Sequence, residues 1–321
     1  MIRVFYLCLV FILTTQASVY AEKIKISFSS LTGTQSPLWV AKERGFFKRQ
    51  GLDVDLLYIV STRVVAQTLM SGDVKMGFVD LGNIVRANLA GGDLVLVAVL
   101  RNKVNFYIVS QKEITDLKQL RGKRIGIGQF GGTPDYTTRM LLEKFGYVPD
   151  KDIKIVQMVV GQGGRLAALQ AGAIESIVIN PPLSLVAKKL GYNLLVDYSE
   201  ISPPFIVSGL ATTKKYMSDN PQTVEKCVKA VVDAVDYILS NEEGTMEIIG
   251  RYMKMTDRAL LKEYYRELVQ KEISRSFSPD VKAVEFFLNM EGNRGAKADP
   301  KTFIDSRILE KLKIKDSSGS R

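Results

Sequence analysis

Three glycines in the stretch KRIGIGQFGGTP (123–134) stand at the spacing G-x-G-x-x-G: Gly126, Gly128 and Gly131. Loops with this spacing hold the pyrophosphate of a dinucleotide when the glycines form the turn from a strand into a helix. Here Gly126 lies between two isoleucines and continues a strand, and a Thr-Pro pair begins the helix two residues after Gly131. No acidic residue follows the next predicted strand, 154–158, to bind a ribose hydroxyl. We therefore predict that this stretch is not a dinucleotide site.

Side chains for covalent catalysis are scarce in this chain. It has no histidine, which removes Ser-His-Asp and Cys-His catalysis and imidazole ligands for a metal. Of its two cysteines, Cys8 lies in an N-terminal apolar stretch, so Cys227 stands alone and no intramolecular disulfide is expected. Cys227 belongs to an apolar stripe with helical spacing, which predicts a buried structural thiol. We expect no enzyme activity, no metal site and no cofactor.

Small polar side chains recur where predicted strands end and helices begin. In an α/β lobe these positions gather on one edge of the sheet, where helix N-termini present free backbone N–H groups. As a set they predict one cleft for a small polar or anionic molecule. The predicted contacts are Thr34, Gln35, Ser36, Thr62, Arg63, Asp80, Gly82, Asn83, Phe106, Gly131, Gly132, Thr133, Gln162, Asn180 and Phe205.

Three arginines near predicted strand ends have the geometry to pair with a carboxylate, sulfonate or phosphate. Of these, we take Arg63 as the candidate contact and interpret Arg101 and Arg165 as solvated surface residues. The aromatic residues Phe106 and Phe205 are interpreted as apolar walls of the cleft.

The elements that position these residues follow one pattern that occurs twice. Strand-length apolar runs alternate with helical stretches, which predicts an α/β fold with largely parallel sheets. The stretch LMSGDVKMGFVD (69–80) matches LQAGAIESIVIN (169–180). Ser36-Pro37 matches Thr133-Pro134, and each pair is predicted to be a capping hydroxyl followed by the first helical residue. The predicted strands are 24–28, 54–59, 76–79, 94–100, 124–127, 154–158 and 176–179, and the predicted helices are 36–48, 64–71, one from 134, and 165–171.

The repeated pattern predicts two similarly wired α/β lobes joined by two crossover segments, with a helical C-terminal region. The apolar runs 106–109 and 205–210 are the predicted crossings. The predicted division is a signal peptide at 1–21, the first part of lobe 1 at 22–107, lobe 2 at 108–207, the return to lobe 1 with the C-terminal helices at 208–315, and a flexible tail at 316–321.

The N-terminus reads as a secretory signal peptide. Arg3 is followed by ten apolar residues at 4–13, and Val-Tyr-Ala at 19–21 has the small-x-small pattern of a cleavage site. Ten apolar residues are too few to span a bilayer. We predict cleavage after Ala21 and export of a chain that is neither membrane-spanning nor lipid-anchored.

The chain is basic, with 44 Lys and Arg against 34 Asp and Glu and a formal net charge of +10. Nucleic-acid binding needs these charges clustered on one surface. Here they alternate with acidic residues, and no block of five basic residues occurs. We therefore expect no nucleic-acid partner.

Five stretches resemble the nitrate/sulfonate/taurine-type substrate-binding proteins of ABC importers, which also resemble thiamine-precursor binding proteins. The stretches are SPLWVAKERGFFKRQGLDVDLLYI (36–59), LMSGDVKMGFVD (69–80), DLKQLRGKRIGI (116–127), AGAIESIVINPPLSLVAKKLGY (171–192) and SGLATTKKYMSDNPQTVEKCVKA (208–230). Their order and spacing carry the resemblance over nearly the whole exported chain. Glu175 departs from the aspartate that the family more often has at this place.

The resemblance implies a two-lobed, type II-like periplasmic binding protein, monomeric, that closes on a ligand and delivers it to a membrane permease. It does not name the ligand, since the family takes nitrate, sulfonates, carboxylates and pyrimidines. Two alternatives remain open: a sensory protein that delivers its ligand to a receptor or chemoreceptor, and an enzyme on the same fold. The enzymes that the resemblance suggests use cysteine or histidine in the cleft, which this sequence does not offer there.

Overall fold

The computed structural model describes residues 22–200 and 208–314, which form two five-stranded sheets. The predictions for the signal peptide, for Phe205 and for the tail at 316–321 lie outside the described residues. The strands, in chain order, are β1 (Glu22–Phe28), β2 (Leu52–Tyr58), β3 (Met76–Val79), β4 (Leu94–Arg101), β5 (Tyr107–Ser110), β6 (Arg124–Ile127), β7 (Lys154–Gln157), β8 (Ser176–Ile179), β9 (Asn193–Asp197) and β10 (Ser208–Thr213).

The two sheets have the same wiring. The first has the strand order β2-β1-β3-β10-β4 and the second has β7-β6-β8-β5-β9. In each sheet the first three strands in this order are parallel, and the fourth runs antiparallel to both of its neighbours. The antiparallel strand is in each case the one that enters from the other sheet: β5 follows β4, and β10 follows β9. The prediction of two similarly wired α/β units is confirmed, while the lobe limits at 107 and 207 stay predictions.

Helices cover the faces of both sheets and continue into the helical C-terminal region. They are α1 (Ser36–Glu43), α2 (Phe46–Arg49), α3 (Thr62–Ser71), α4 (Leu81–Leu89), α5 (Thr133–Lys144), α6 (Gly161–Gln170), α7 (Leu183–Lys189), α8 (Lys214–Asp219), α9 (Pro221–Ser240), α10 (Glu242–Met253), α11 (Arg258–Glu267), α12 (Val281–Met290) and α13 (Arg307–Lys311). A π-helical turn, Leu268–Glu272, extends α11. No helix in the described ranges is long and apolar enough to cross a membrane.

The largest apolar cluster lies between the first sheet and α1, α9 and α10. Trp39 of α1 is fully buried there and stacks on Tyr252 of α10, with the ring centroids 4.7 Å apart. Helix α9 contributes an apolar stripe that includes Cys227, which is also fully buried. The prediction of a buried structural thiol is therefore confirmed.

Two details of the predicted helices are wrong. The helix predicted at 36–48 ends at Glu43 and restarts at Phe46, because Gly45 adopts φ +71°, a left-handed conformation that interrupts a helix. Ser36 and Thr133 are the first helical residues and not the caps, so neither hydroxyl caps its own helix. The residues before the helices are Gln35 and Gly132, so Pro37 and Pro134 are the second helical residues and not the first.

Polar contacts join the two halves of the molecule. Arg86 of α4 donates from Nη2 to the carbonyl of Gly131, 2.6 Å away. Lys189 of α7 forms an ion pair with Asp257 at the start of α11, with 3.4 Å between Nζ and Oδ2. Lys271, in the π-helical turn after α11, pairs with Asp197 of β9. The C-terminal helices thus belong to the first sheet and also brace the second.

Candidate functional site

A cleft of about 630 Å³ opens between the carboxyl ends of the parallel strands of the two sheets. Its lining includes the segment before α1, the end of β4 and the starts of α5, α6 and α7, so both halves contribute to it. Such edges of parallel sheets bring together loops and helix N-termini that are far apart in the chain. The cleft therefore lies where the sequence predicted a ligand to bind.

The structure brings most of the predicted contacts to this cleft and leaves others outside it. Five of the predicted contacts that the structure describes do not line the cleft. Ser36 is fully buried, Gly82 packs against Phe287, Asn83 donates a hydrogen bond to Asp80, and Gly131 is exposed. Arg63 is exposed and lines a separate depression between α3 and α4. The predicted contacts that line the cleft are Thr34, Gln35, Thr62, Asp80, Phe106, Gly132, Thr133, Gln162 and Asn180.

A row of hydroxyl groups precedes α1 on the first side of the cleft. The Thr32 hydroxyl is 3.0 Å from that of Ser30 and 2.8 Å from that of Thr34, and the Gln35 amide donates to Thr34 Oγ1. The segment is fixed by Gly33, whose N–H donates to the hydroxyl of Tyr264 at 2.5 Å. A Cβ at residue 33 would lie 2.6 Å from that hydroxyl oxygen, so only glycine allows this approach.

Asp80 lines the first sheet's side of the cleft, at the start of α4. Its carboxylate caps the helix by accepting from the Asn83 N–H at 2.9 Å, and its second oxygen accepts from the Asn83 side-chain amide at 2.7 Å. The same amide also donates to the Thr62 hydroxyl at 3.1 Å, which ties the start of α3 to that of α4. Asp80 is thus both a helix cap and a wall of the cleft.

Arg101, at the end of β4, reaches the cleft from the first sheet. It is 7% exposed, and its Nε and Nη2 are buried without a hydrogen-bond partner in the part of the chain that the structure describes. Its guanidinium carbon lies 5.7 Å from the centre of the Phe106 ring, a cation–π arrangement. Burying a charged donor without a partner is costly, so this guanidinium is available to an anion that enters the cleft.

Arg165, in the second turn of α6, reaches the cleft from the other side. It is 6% exposed, and its Nε donates to the carbonyl of Val178 at 3.3 Å. Burial lowers the pKa of this guanidinium to about 10, and no carboxylate among the described residues opposes that effect. Arg101 and Arg165 were interpreted as solvated from the sequence, and that interpretation is wrong for both.

Glu272 lies fully buried near Arg101, outside the cleft lining. Its Oε1 accepts from the Asn105 side-chain amide at 2.8 Å. Burial raises the pKa of the Glu272 carboxyl to about 7, although the positive charge of Arg101 acts in the opposite direction. The carboxylate thus balances the Arg101 charge only in part near neutral pH.

Besides Arg101, three residues of the cleft lining have a buried polar atom without a partner among residues 22–200 and 208–314. The atoms are Gln35 Oε1 and Ser208 Oγ on the first sheet's side and Asn180 Oδ1 on the second. All three residues line the cleft, and Asn180 is held by its own N–H, which donates to Gln162 Oε1 at 2.8 Å. Buried polar groups in folded proteins are nearly always hydrogen-bonded, so these atoms are open to a hydrogen bond from water or from a polar ligand in the cleft.

The three glycines at 126, 128 and 131 lie in three different local environments. A Cβ at Gly126, inside β6, would lie 2.5 Å from the sulfur of Met158. A Cβ at Gly128 would lie 3.4 Å from Nη1 of Arg165, an ordinary contact distance, so this position adjoins the guanidinium without requiring glycine. Gly131 adopts φ +71° in the turn before α5. Strand packing accounts for Gly126 and a turn for Gly131, so the spacing does not reflect one shared phosphate-binding loop.

The family profile described as "NMT1/THI5 like" matches residues 34–244 of this chain. Among curated proteins, a candidate binding protein of Brucella abortus is 25% identical over 227 residues, which are 69% of this chain and 68% of that protein. The 4-amino-5-hydroxymethyl-2-methylpyrimidine phosphate synthase of Candida albicans is 24% identical over 231 residues, 67% of each chain.

Solved structures share the fold at low sequence identity. The nitrate-binding protein NrtA of Synechocystis aligns with a TM-score of 0.75 and 17% identity over 94% of this chain and 92% of its own. The aliphatic sulphonate-binding protein SsuA of Escherichia coli aligns with a TM-score of 0.71 and 16% identity over 84% of this chain and 90% of its own. Both are named as periplasmic binding proteins, and the fold class predicted from the sequence is confirmed.

Proposed function

The chain belongs to the NMT1/THI5-like family, and from that premise we propose that it is an extracytoplasmic solute-binding protein of an ABC importer. It holds a small anionic molecule in the cleft between its two sheets and delivers it to a membrane permease. Relatives of known structure named for nitrate and sulphonate binding support this class of ligand. The N-terminal stretch at 1–21 supports export as a signal peptide. Its cleavage after Ala21 leaves an exported protein that begins at Glu22.

The observation that carries the proposal is the pair of buried guanidiniums, Arg101 and Arg165, one from each half of the cleft. Neither forms an ion pair with a carboxylate within the described ranges. Anionic oxygens supply charge-assisted hydrogen bonds to both groups, which are about twice as strong as neutral ones. A ligand that contacts both halves stabilises the closed arrangement by its differential affinity for it.

The synthase names among the relatives raise an enzymatic alternative. This chain offers few catalytic side chains for that reaction, since it has no histidine and Cys227 is buried on the apolar face of α9, outside the cleft lining. Burial also raises the pKa of the Cys227 thiol, which keeps the thiol protonated. We therefore propose binding without a covalent step.

A thermal-shift screen of the purified protein tests the proposal. The probes are nitrate, alkanesulfonates, carboxylates and neutral pyrimidines, each at a range of concentrations. A ligand at 100 times its dissociation constant adds about 2.7 kcal/mol to the free energy of unfolding. We expect at least one anion to raise the melting temperature of the wild type and of Arg63→Gln equally, and to raise that of Arg165→Gln by clearly less at the same concentration. The proposal fails if no anion shifts the melt, or if Arg165→Gln responds like the wild type.

A further inference from the structure

One end of the cleft is apolar and is built by the C-terminal helices. Met253 ends α10, Met255 follows it, and Leu260 lies in the first turn of α11; all three line the cleft. Across from them α7 of the second half contributes Leu183 and Val186. The two sides are in contact, because α7 packs against α11 and Lys189 pairs with Asp257.

The backbone between α10 and α11 holds the two methionines in place. Lys254 adopts φ +54° at the end of α10, and the Met255 N–H donates to the Gly250 carbonyl at 2.8 Å. Met253 and Met255 are half-buried and pack at the margin of the main apolar cluster. Methionine is flexible and polarizable, so it adapts to apolar groups of different shape. This segment lies beyond residues 34–244, the part that the family profile matches.

The size of the cleft also bears on the ligand. A volume of about 630 Å³ lies within the range of pockets that enclose drug-sized molecules, roughly 300–1,000 Å³. An inorganic anion of a few atoms satisfies the guanidiniums and leaves the apolar end without a partner. An organic anion occupies both ends of the same cleft.

We propose that the ligand is an organic anion with an apolar body, whose charged group pairs with Arg101 and Arg165 and whose body lies against Met253, Met255 and Leu260. Leu183 and Val186 cover the body from the second half, so the apolar group also joins the two halves. This inference rests on the proposed function and narrows its ligand to organic anions with an aliphatic or aromatic part.

The test is a calorimetric titration of the purified protein with two homologous series, n-alkanesulfonates and n-alkanecarboxylates, from one to six carbons. Burial of a methylene group tightens the dissociation constant about three- to fourfold. We expect such a gain per carbon over several members of the series whose head group binds. Equal affinity for the shortest and longest members overturns the inference and leaves anion binding intact. If neither series binds but nitrate does, the inference fails and the proposed function stands; if nitrate also fails to bind, the proposed function itself is overturned.

Variants at the apolar end of the cleft test whether its side chains cause the gain in affinity per carbon. Met253→Gln and Met255→Gln keep the side-chain length and should weaken the binding of the six-carbon anion about tenfold while changing that of the one-carbon anion less than twofold. Val186→Thr, nearly isosteric, tests the opposite wall in case the methionine variants lose stability. The control is Met290→Gln, an exposed methionine of α12 outside the cleft. Unchanged chain-length dependence in Met253→Gln, Met255→Gln and Val186→Thr contradicts the inference.

Discussion

Glu272 makes the stability of this protein depend on pH in a range where few other side chains titrate. The carboxyl is 1% exposed, and Asn105 donates to it. The charges that act on it are the positive charges of Arg101 and Lys271, which favour its ionised form, and the negative charge of Glu267, which opposes it. Burial is the largest effect and raises the pKa from 4.5 to about 7.

The direction of this pH dependence follows from the number of protons that the folded and unfolded states bind. Between pH 4.5 and 7 the folded state holds a proton at Glu272 that the unfolded state has lost, so the free energy of unfolding falls as pH rises. The stabilisation is fully present below pH 4.5 and is lost as pH rises through about 7. With about 1.4 kcal/mol for each pKa unit, the loss between pH 5 and pH 8 is about 2.5 kcal/mol. Because the chain has no histidine, no imidazole titration overlaps this range.

The assay is urea unfolding of the ligand-free protein at half-unit steps from pH 5 to pH 8. The wild type should lose stability steadily up to about pH 7 and then level off. Glu272→Gln keeps an acceptor for Asn105 but removes the titration, so its profile should be flat. Glu113→Gln, at an exposed loop position, is the matched control and should follow the wild type. A flat wild-type profile, or a slope that persists in Glu272→Gln, refutes this reasoning.

Three further predictions concern other parts of the structure. Cys227 should resist a thiol reagent in the native protein and react at once in denaturant, because it is fully buried and its pKa is raised; rapid native labelling would contradict this. Gly126→Ala should lower the free energy of unfolding more than Gly131→Ala does. A Cβ at residue 126 would lie 2.5 Å from the sulfur of Met158, whereas a Cβ at residue 131 would meet open space and only an unfavourable φ. Urea unfolding midpoints in the reverse order would refute this. Asp80→Ala removes the cap of α4 and should lower the free energy of unfolding by about 0.5–2 kcal/mol, measured in urea, and an unchanged midpoint would count against that role.

The fold was predictable from the sequence because its elements have simple patterns. The short parallel strands are continuous apolar runs, as expected for strands covered on both faces, and β3, β6 and β8 have the predicted bounds. The second sheet repeats the pattern of the first. What the pattern did not show was the break at Gly45, since a single glycine in an apolar helical stretch does not reveal its φ.

The two arginines were misread for different reasons. Arg101 follows an apolar strand, and a charged residue at that place ordinarily faces solvent; its burial depends on the C-terminal helices, far along the chain. Helix α6 was predicted to begin at Arg165 but begins at Gly161, so the arginine lies a turn inside the helix and faces the cleft. Its first turn, Gly-Gln-Gly-Gly, has low helix propensity, and the prediction therefore placed it in a loop.

The apolar end of the cleft had no signal in the sequence. Met253 and Met255 lie at the end of a helix and in the turn after it, and nothing in their spacing relates them to α7. Only the packing of α11 against α7 brings these residues together. By contrast, Thr34, Asp80, Thr133 and Asn180 were predictable, because ends of parallel strands and starts of helices meet at one edge of a sheet.

The central claim is that an anion binds between Arg101 and Arg165. The most direct measurement is the calorimetric dissociation constant of the tightest-binding alkanesulfonate or carboxylate for the wild type, Arg101→Gln, Arg165→Gln and the double variant. Each lost charged hydrogen-bonding group should cost about 1.5–3 kcal/mol, so each single variant should bind at least tenfold more weakly, and the double variant should show no measurable binding. Wild-type affinity in both single variants would show that the ligand does not lie between these two guanidiniums.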